Sequence, residues 1–178
     1  MTRTLIAGIG NADRGDDGIG PAVIAALTHR LPDGTRAIAL RGDLLPLLDA
    51  WAQVERVVLV DACTESGAPG RIHRLHNPSA AELPPEAPTS SHALGLAETL
   101  ALARALAEPT AAAPDIVVYA VEGFCFDFGA PLSPPVAAAI EPLVKQIAAD
   151  AAAIGPPSTE TGGPSTPDVP PAPPPSRR

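Results

Sequence analysis

Three short apolar runs, each followed by a turn, constrain the fold of this chain more than any other feature. They read LIAGI at residues 5–9, RVVLVD at 56–61 and DIVVYAV at 115–121. Runs of this kind are typical of strands that are buried on both faces. Apolar residues at helical spacing occur between and after them, at residues 19–31, 44–51, 92–107 and 133–153. Strands that alternate with helices predict an open, mostly parallel sheet covered by helices on both faces.

Two weaker patterns complete a predicted sheet of about five strands. TRAIAL at residues 35–40 predicts a second strand, and GRIHRL at 70–75 alternates as an edge or antiparallel strand does. The chain of 178 residues suits one domain. We place that domain, a three-layer α/β/α fold, at residues 1–154. The proline-rich residues 155–178 are predicted to form a disordered tail.

The composition excludes several classes of protein. A net charge of −8 disfavours binding to nucleic acid, which requires a basic face, and binding to an anionic membrane surface. Two cysteines form no disulfide framework in a chain of this size. A strand begins at once after Met1, and no apolar run is long enough to span a membrane. We therefore expect a cytoplasmic protein with reduced thiols.

Acidic and imidazole side chains are concentrated near the predicted strand-to-helix turns. Asp16 and Asp17 precede the first helix, Asp61 ends the RVVLVD strand, and His92 begins the helix that follows Ser90 and Ser91. A single aspartate there commonly caps a helix, but one helix needs only one cap. Histidine at a helix N-terminus is favoured in its neutral form, which is the form that coordinates metals. Ligands bind at this edge of the sheet in α/β folds.

Two carboxylates and one imidazole, with open positions, suit a first-row divalent ion. Residue spacing alone does not bring them together; only the predicted fold does. A second metal site built from His73, His76 and the cysteines is conceivable but disfavoured, because buried thiols explain the cysteines. Glu122 ends a strand at the same edge and is a candidate substrate contact.

A nucleotide site is disfavoured by the spacing of the glycines. Gly8 and Gly10 lack the third glycine that opens the helix in a dinucleotide fingerprint. Asp16 and Asp17 before the helix would also repel a pyrophosphate. Neither a zinc-protease HExxH helix nor a GxSxG elbow is present.

The chain resembles the hydrogenase maturation proteases, which trim the C-terminal extension of the [NiFe]-hydrogenase large subunit. The resemblance rests on GIGNADRGDDGIG at residues 8–20, VVLVDA at 57–62 and SHALGLAETLALARAL at 91–106. It implies a single α/β domain with a twisted sheet. It also implies that Asp17, Asp61 and His92 are the metal-contacting and catalytic residues, with Asp16 as the alternative to Asp17.

The resemblance further implies that the nickel is supplied by the substrate, a [NiFe]-hydrogenase large-subunit precursor. Water activated by the metal, or by a carboxylate as in aspartic-type hydrolysis, would attack the peptide bond. Members often carry an Asp-Gly-Gly-Thr run after the second strand, where this chain has ALRGDLLPLL, so the large subunit that it recognises stays open. The main alternative is a metal-sensing chaperone that binds a hydrogenase precursor without cutting it.

Overall fold

The computed structural model describes residues 3–51, 54–64, 67–85, 95–106 and 113–152. Within these residues, five strands and four helices alternate along the chain. They are β1 (Thr4–Ile9), α1 (Ile19–Leu27), β2 (Thr35–Leu40), α2 (Leu45–Trp51), β3 (Arg56–Cys63), β4 (Ile72–His76), α3 (Leu96–Leu106), β5 (Asp115–Glu122) and α4 (Pro134–Ala152). Two 3-10 turns, Gly15–Gly18 and Ala80–Glu82, complete the described elements.

The strands form one sheet in the order β2-β1-β3-β5-β4. Four of them are parallel, and β4 pairs antiparallel with β5 at the edge. This confirms the predicted mostly parallel sheet of about five strands with an antiparallel edge. β4 begins two residues later than the predicted 70–75 and extends to His76, which pairs with Val117.

The helices cover both faces of the sheet, which confirms the three-layer α/β/α fold. Alternate strand residues, such as Ile6, Val58 and Tyr119, pack with α1 and α4. The intervening residues, such as Leu5 and Leu59, pack with α2 and α3. Both cores consist mainly of Val, Leu, Ile and Ala, and each fully buried side chain of the larger types contributes roughly 1.5–3 kcal/mol.

Several predicted boundaries differ from the observed ones. β3 continues through Asp61 to Cys63, because β5 is long enough to pair with it as far as Glu122. α1 ends at Leu27 and not at residue 31, since turns precede Pro32. Ala80–Glu82 forms a capped 3-10 turn inside a segment that was predicted as loop.

The helix predicted at 92–107 is confirmed as α3, with two differences. Leu96 and Leu100 are buried as predicted, but Leu106, predicted on the apolar side, is 65% exposed. His92 and its predicted capping serines lie outside the described residues, as does the predicted tail 155–178. No helix of the described residues is long and apolar enough to cross a membrane.

α1 crosses directly over the end of β1, and Gly20 permits this close approach. A Cβ atom at Gly20 would lie 2.1 Å from the carbonyl oxygen of Ile9 and 2.5 Å from its nitrogen. Because both contacts are with backbone, no side-chain movement relieves them. The glycine therefore fixes how the helix after β1 leaves the sheet.

Candidate active site

The candidate site lies where the order of the strands reverses. In the sheet, β2 is the neighbour of β1 on one side, and β3, the next strand in the chain, is its neighbour on the other side. A crevice opens at such a point in α/β sheets, beyond the carboxyl ends of the strands. The 3-10 turn Gly15–Gly18, which follows β1, contacts β3. Asp17 and Asp61 therefore lie on two elements that meet at this reversal.

The Asp17 carboxylate is buried and held from one side only. The backbone N–H of Asn11 donates to Asp17 Oδ2 at 2.7 Å, and Asp17 is 3% exposed. Asp17 Oδ1 is buried and has no hydrogen-bond partner among the residues that the structure describes. A buried carboxylate oxygen without a partner is costly, so this oxygen is well suited to meet a cation or donor from another molecule.

Gly10 shapes the turn that brings Asn11 to Asp17. Its φ of +127° disfavours any residue with a side chain. A Cβ atom at Gly10 would also lie 1.9 Å from the carbonyl oxygen of Asp17. Gly10 thus allows the backbone of this turn to pack closely against Asp17.

Asp16 is fully buried, and its carboxylate is enclosed by donors from the loop after β5. Oδ2 accepts the N–H groups of Phe124 and Cys125, at 2.8 and 2.9 Å, and the Ser133 hydroxyl at 3.0 Å. Oδ1 accepts the N–H of Ser133 at 2.6 Å. Burial alone would raise the pKa of Asp16, but the hydrogen bonds from Cys125, Phe124 and Ser133 outweigh it and hold this pKa below its ordinary value. Asp16 is a structural anchor, which favours Asp17 over Asp16 as the metal contact.

Asp61 lies on the α3 side of β3 and is buried, with 5% exposed. Its Oδ1 accepts the N–H of Ala62 at 2.8 Å. Asp61 was predicted to be the last residue of its strand, but β3 continues to Cys63. Asp61 is the first residue of β3 beyond the pairing with β1, which stops at Val60. It also lines a cleft of about 260 Å³ between β3, the start of α3 and the segment 80–85.

His92 belongs to the segment 86–94, which lies outside the described residues. Pro85, which directly precedes that segment, and Leu96, two residues after its end, both line the cleft that contains Asp61. Among the described residues, no group of three His, Cys, Asp or Glu side chains is arranged to hold a metal ion. Asp17, Asp61 and His92 as a set of metal contacts therefore stay a prediction.

His73 and His76 do not come together as the second metal site that the sequence analysis disfavoured. The two residues are three apart in β4, so their side chains point to opposite faces of the sheet. His76 Nε2 lies 2.5 Å from Asp115 Oδ1 at the far end of β5. Neither cysteine of the chain is part of a disulfide, and Cys63 is buried and Cys125 half-buried.

The sequence offers no clear signal for the pairing of His73 with the buried Glu122. Glu122 is 1% exposed, and its Oε1 lies 2.8 Å from His73 Nε2. Its other oxygen accepts the N–H of Ala68. Glu122 thus ties the loop before β4 to the end of β5, and its contact with a substrate stays a prediction.

The sequence and the fold relate this chain to known proteins. The family profile described as "Hydrogenase maturation protease" matches residues 40–150, which is more than half of the chain. The chain belongs to the hydrogenase maturation protease family. The family match includes Asp61 and His92 and begins after Asp17.

Solved structures extend the likeness of this family member to most of its length. The hydrogenase maturating endopeptidase HybD from E. coli is 27% identical, with 83% of this chain and 91% of that chain covered and a TM-score of 0.70. An E. coli endopeptidase solved in solution is 28% identical over 83% and 90% of the two chains, with a TM-score of 0.69. The [NiFe] hydrogenase maturation protease HybD from Thermococcus kodakarensis is 25% identical over 84% and 99%, with a TM-score of 0.68.

No curated protein sequence matches this chain. Membership of the hydrogenase maturation protease family nevertheless assigns the chain to a class of maturation endopeptidases. It implies that the chain acts in the processing of hydrogenase precursors.

Proposed function

We propose that this protein removes the C-terminal extension of a nickel-loaded [NiFe]-hydrogenase large-subunit precursor. In this proposal Asp17, Asp61 and His92 contact the nickel that the precursor carries. The observation that supports it most directly is the buried Oδ1 of Asp17, which lies at the reversal of strand order and has no hydrogen-bond partner among the described residues. We expect a site that receives its cation only with the substrate to contain an oriented oxygen of this kind before the substrate binds.

Burial of Asp17 supports a cationic ligand. Its carboxylate is removed from water, and one of its oxygens has no hydrogen-bond partner among the described residues, so a cation would offset the cost of burying its negative charge. Asn11 fixes one oxygen of Asp17, and Ala62 fixes one oxygen of Asp61, so both side chains are oriented before the substrate binds. An imidazole from His92 would complete a mixed oxygen and nitrogen set that suits nickel.

Binding of the nickel would place the neighbouring C-terminal segment of the precursor beside the cleft lined by Asp61. Nickel would supply Lewis acidity at this position when the precursor brings it. A water molecule that attacks the peptide carbonyl has to lose a proton, and the carboxylates of Asp17 and Asp61 are the proton acceptors of this site. Because the metal arrives with the substrate, cleavage would depend on prior nickel insertion.

Incubation of the full chain with a large-subunit precursor, in nickel-loaded and nickel-free form, tests the proposal. We expect the intact mass of the nickel-loaded precursor alone to fall by the mass of its C-terminal extension. Asp17→Asn, Asp61→Asn and His92→Ala should each slow this cleavage about 100-fold or more. The exposed residues Asp49 and His29 provide matched controls, and Asp49→Asn and His29→Ala should cut normally.

Two outcomes would contradict the proposal in different ways. Full cleavage by the His92→Ala protein would remove His92 from the site. Tight binding of the nickel-loaded precursor without any change in its mass would favour the non-catalytic chaperone. We also propose that the protein acts in the cytoplasm, where its two cysteine thiols would stay reduced.

A further inference from the structure

We propose that Phe124 and Phe128 form a docking surface for the folded body of the hydrogenase precursor, distinct from the cleft that would receive the segment to be cut. Both residues lie in the loop between β5 and α4, at the same edge of the sheet as Asp17. The proposal rests on the proposed function for the identity of the partner.

The exposure of these two side chains is unusual for this chain. Phe124 is 77% exposed and Phe128 is 73% exposed. All three phenylalanines of the protein fall between residues 124 and 128, while the one tryptophan and the one tyrosine are buried. Exposed aromatic side chains are enriched at the centres of protein interfaces, where they contribute much of the binding energy.

The loop that carries the two phenylalanines is held firmly by the turn before α1. Asp16 accepts the N–H groups of Phe124 and Cys125 and donates its own N–H to the Cys125 carbonyl at 2.7 Å. The Gly129 N–H donates to the Asp13 carbonyl at 2.7 Å. A pair of aromatic side chains on a fixed backbone loses little conformational entropy when it binds a partner.

The same hydrogen bonds couple the loop to the candidate active site. Asp16 anchors the loop, and the next residue, Asp17, presents its open oxygen at the reversal of strand order. A partner that docks on Phe124 and Phe128 would therefore be positioned relative to Asp17 through a short, rigid connection. Such positioning of a reacting group is a large part of catalysis by proximity.

Charged side chains lie on the Phe128 side of this surface. The Arg14 guanidinium lies 5.9 Å from the centre of the Phe128 ring. Nearby, Arg41 and Asp13 form an ion pair at 2.7 Å, with both side chains more than half exposed. An apolar centre with a charged border is the usual composition of a non-obligate protein interface.

The shape of the surface favours a folded partner over an extended peptide. Phe124 and Phe128 project from a loop, and projecting rings bind best in pockets, which a folded protein offers and an extended peptide does not. A second copy of this chain is a poorer partner, because each copy carries a net charge of −8. The same charge disfavours an anionic membrane.

The test compares the wild type with a Phe124→Ala/Phe128→Ala variant and with both single variants. Binding is measured by calorimetry with nickel-free precursor and with the same protein lacking its C-terminal extension. We expect the dissociation constant of the double variant to rise about ten-fold or more for both ligands. Leu106→Ala is the matched control, because Leu106 is also highly exposed but ends α3, away from this loop, and its binding should not change.

Cleavage of nickel-loaded precursor provides a second readout. The double variant should show a raised KM with a nearly unchanged kcat, because the docking surface does not touch the reacting bond. If nothing is cut but the phenylalanine variants still weaken binding, the proposed function fails and the docking surface stands. If the wild type cuts and the variants bind and cut equally well, the docking surface is wrong.

Two further results would overturn the proposal. Weakened binding only when the extension is present would make the extension the occupant of this surface. Self-association of the wild type that the double variant abolishes, seen by sedimentation, would make a second copy the occupant. Circular dichroism shows whether each variant is folded. If the double variant does not fold, the two single variants are compared with the wild type in its place.

Discussion

The carboxylates of Asp16 and Asp17 occupy opposite environments, although the two residues are adjacent in the chain. Asp16 accepts four hydrogen bonds from Phe124, Cys125 and Ser133. Asp17 accepts one on Oδ2 from Asn11, and its Oδ1 has no partner among the described residues. One residue therefore holds the loop after β5 in place, and its neighbour is available to a ligand.

Asp16→Asn and Asp17→Asn should consequently have different effects on stability. Whichever way it is oriented, an amide NH₂ at position 16 faces a backbone N–H, so we expect the free energy of unfolding to fall by about 2–3 kcal/mol. At position 17 the amide nitrogen can take the place of Oδ1, which has no hydrogen-bond partner among the described residues. We therefore expect the free energy of unfolding to change by less than about 1 kcal/mol. Urea unfolding of both variants measures this. Equal destabilisation would contradict the assigned roles.

The contribution of Asp16 to stability should disappear in acid. Its pKa is lower in the folded protein than in the unfolded chain, because the hydrogen bonds from the Cys125, Phe124 and Ser133 region outweigh burial. The contribution is thus present above the unfolded pKa of about 3.9 and is lost as the pH falls through the lower folded pKa. The difference in free energy of unfolding between the wild type and Asp16→Asn should therefore become smaller below about pH 4.

Urea unfolding between about pH 6 and pH 2 checks this prediction. The neutral, exposed substitution Leu106→Ala is the control, and its difference from wild type should not vary with pH. If the difference in free energy of unfolding between Asp16→Asn and the wild type stays constant through the acid range, the hydrogen-bond donors of Phe124, Cys125 and Ser133 do not stabilise the Asp16 carboxylate.

Gly20→Ala should destabilise the fold at the crossing of α1 over β1. Because the added Cβ would lie 2.1 Å from the Ile9 carbonyl oxygen, the helix has to move, and we expect a loss of about 3 kcal/mol. Gly42→Ala is the control, since Gly42 has a φ of +77° but nothing within 4 Å of the added carbon. It should lose only about 1 kcal/mol. Thermal unfolding of both variants distinguishes a steric clash from backbone strain.

Tyr119, the one tyrosine of the chain, should resist ionisation in the folded protein. Burial, followed by the hydrogen bond of its hydroxyl to Asp150 at 2.5 Å, raises the pKa of Tyr119. The resulting stability is present below the unfolded pKa of about 10 and is lost as the pH rises above it towards the folded pKa. Ultraviolet absorbance should therefore show no tyrosinate near pH 10 until the protein unfolds.

Two controls make the titration of Tyr119 decisive. The chain unfolded in guanidinium should titrate near the ordinary value, about pH 10. Tyr119→Phe should show no tyrosinate signal at all and should unfold about 1 kcal/mol more easily. Ionisation of the folded wild type near pH 10 would contradict the buried hydrogen bond between Tyr119 and Asp150.

Local sequence patterns predicted the strands and helices more reliably than the residues at which they begin and end. The three apolar runs gave the central strands because burial on both faces requires continuous apolar residues. The end of β3 at Cys63 escaped prediction, because it depends on the length of β5, which is distant in the chain. Leu106 follows the helical spacing of the apolar residues at 92–107, but among the described residues no other element covers the last turn of α3.

By itself, the sequence determined the class of fold, the alternation of strands and helices, and the concentration of Asp16, Asp17 and Asp61 near the turns. These follow from apolar spacing and turn chemistry, which are properties of neighbouring residues. Only the tertiary structure decided which of the two adjacent aspartates is enclosed by donors and which keeps an open oxygen. Those donors come from residues 124–133, more than a hundred positions away, and hydrogen bonding between distant segments leaves no local pattern in a sequence.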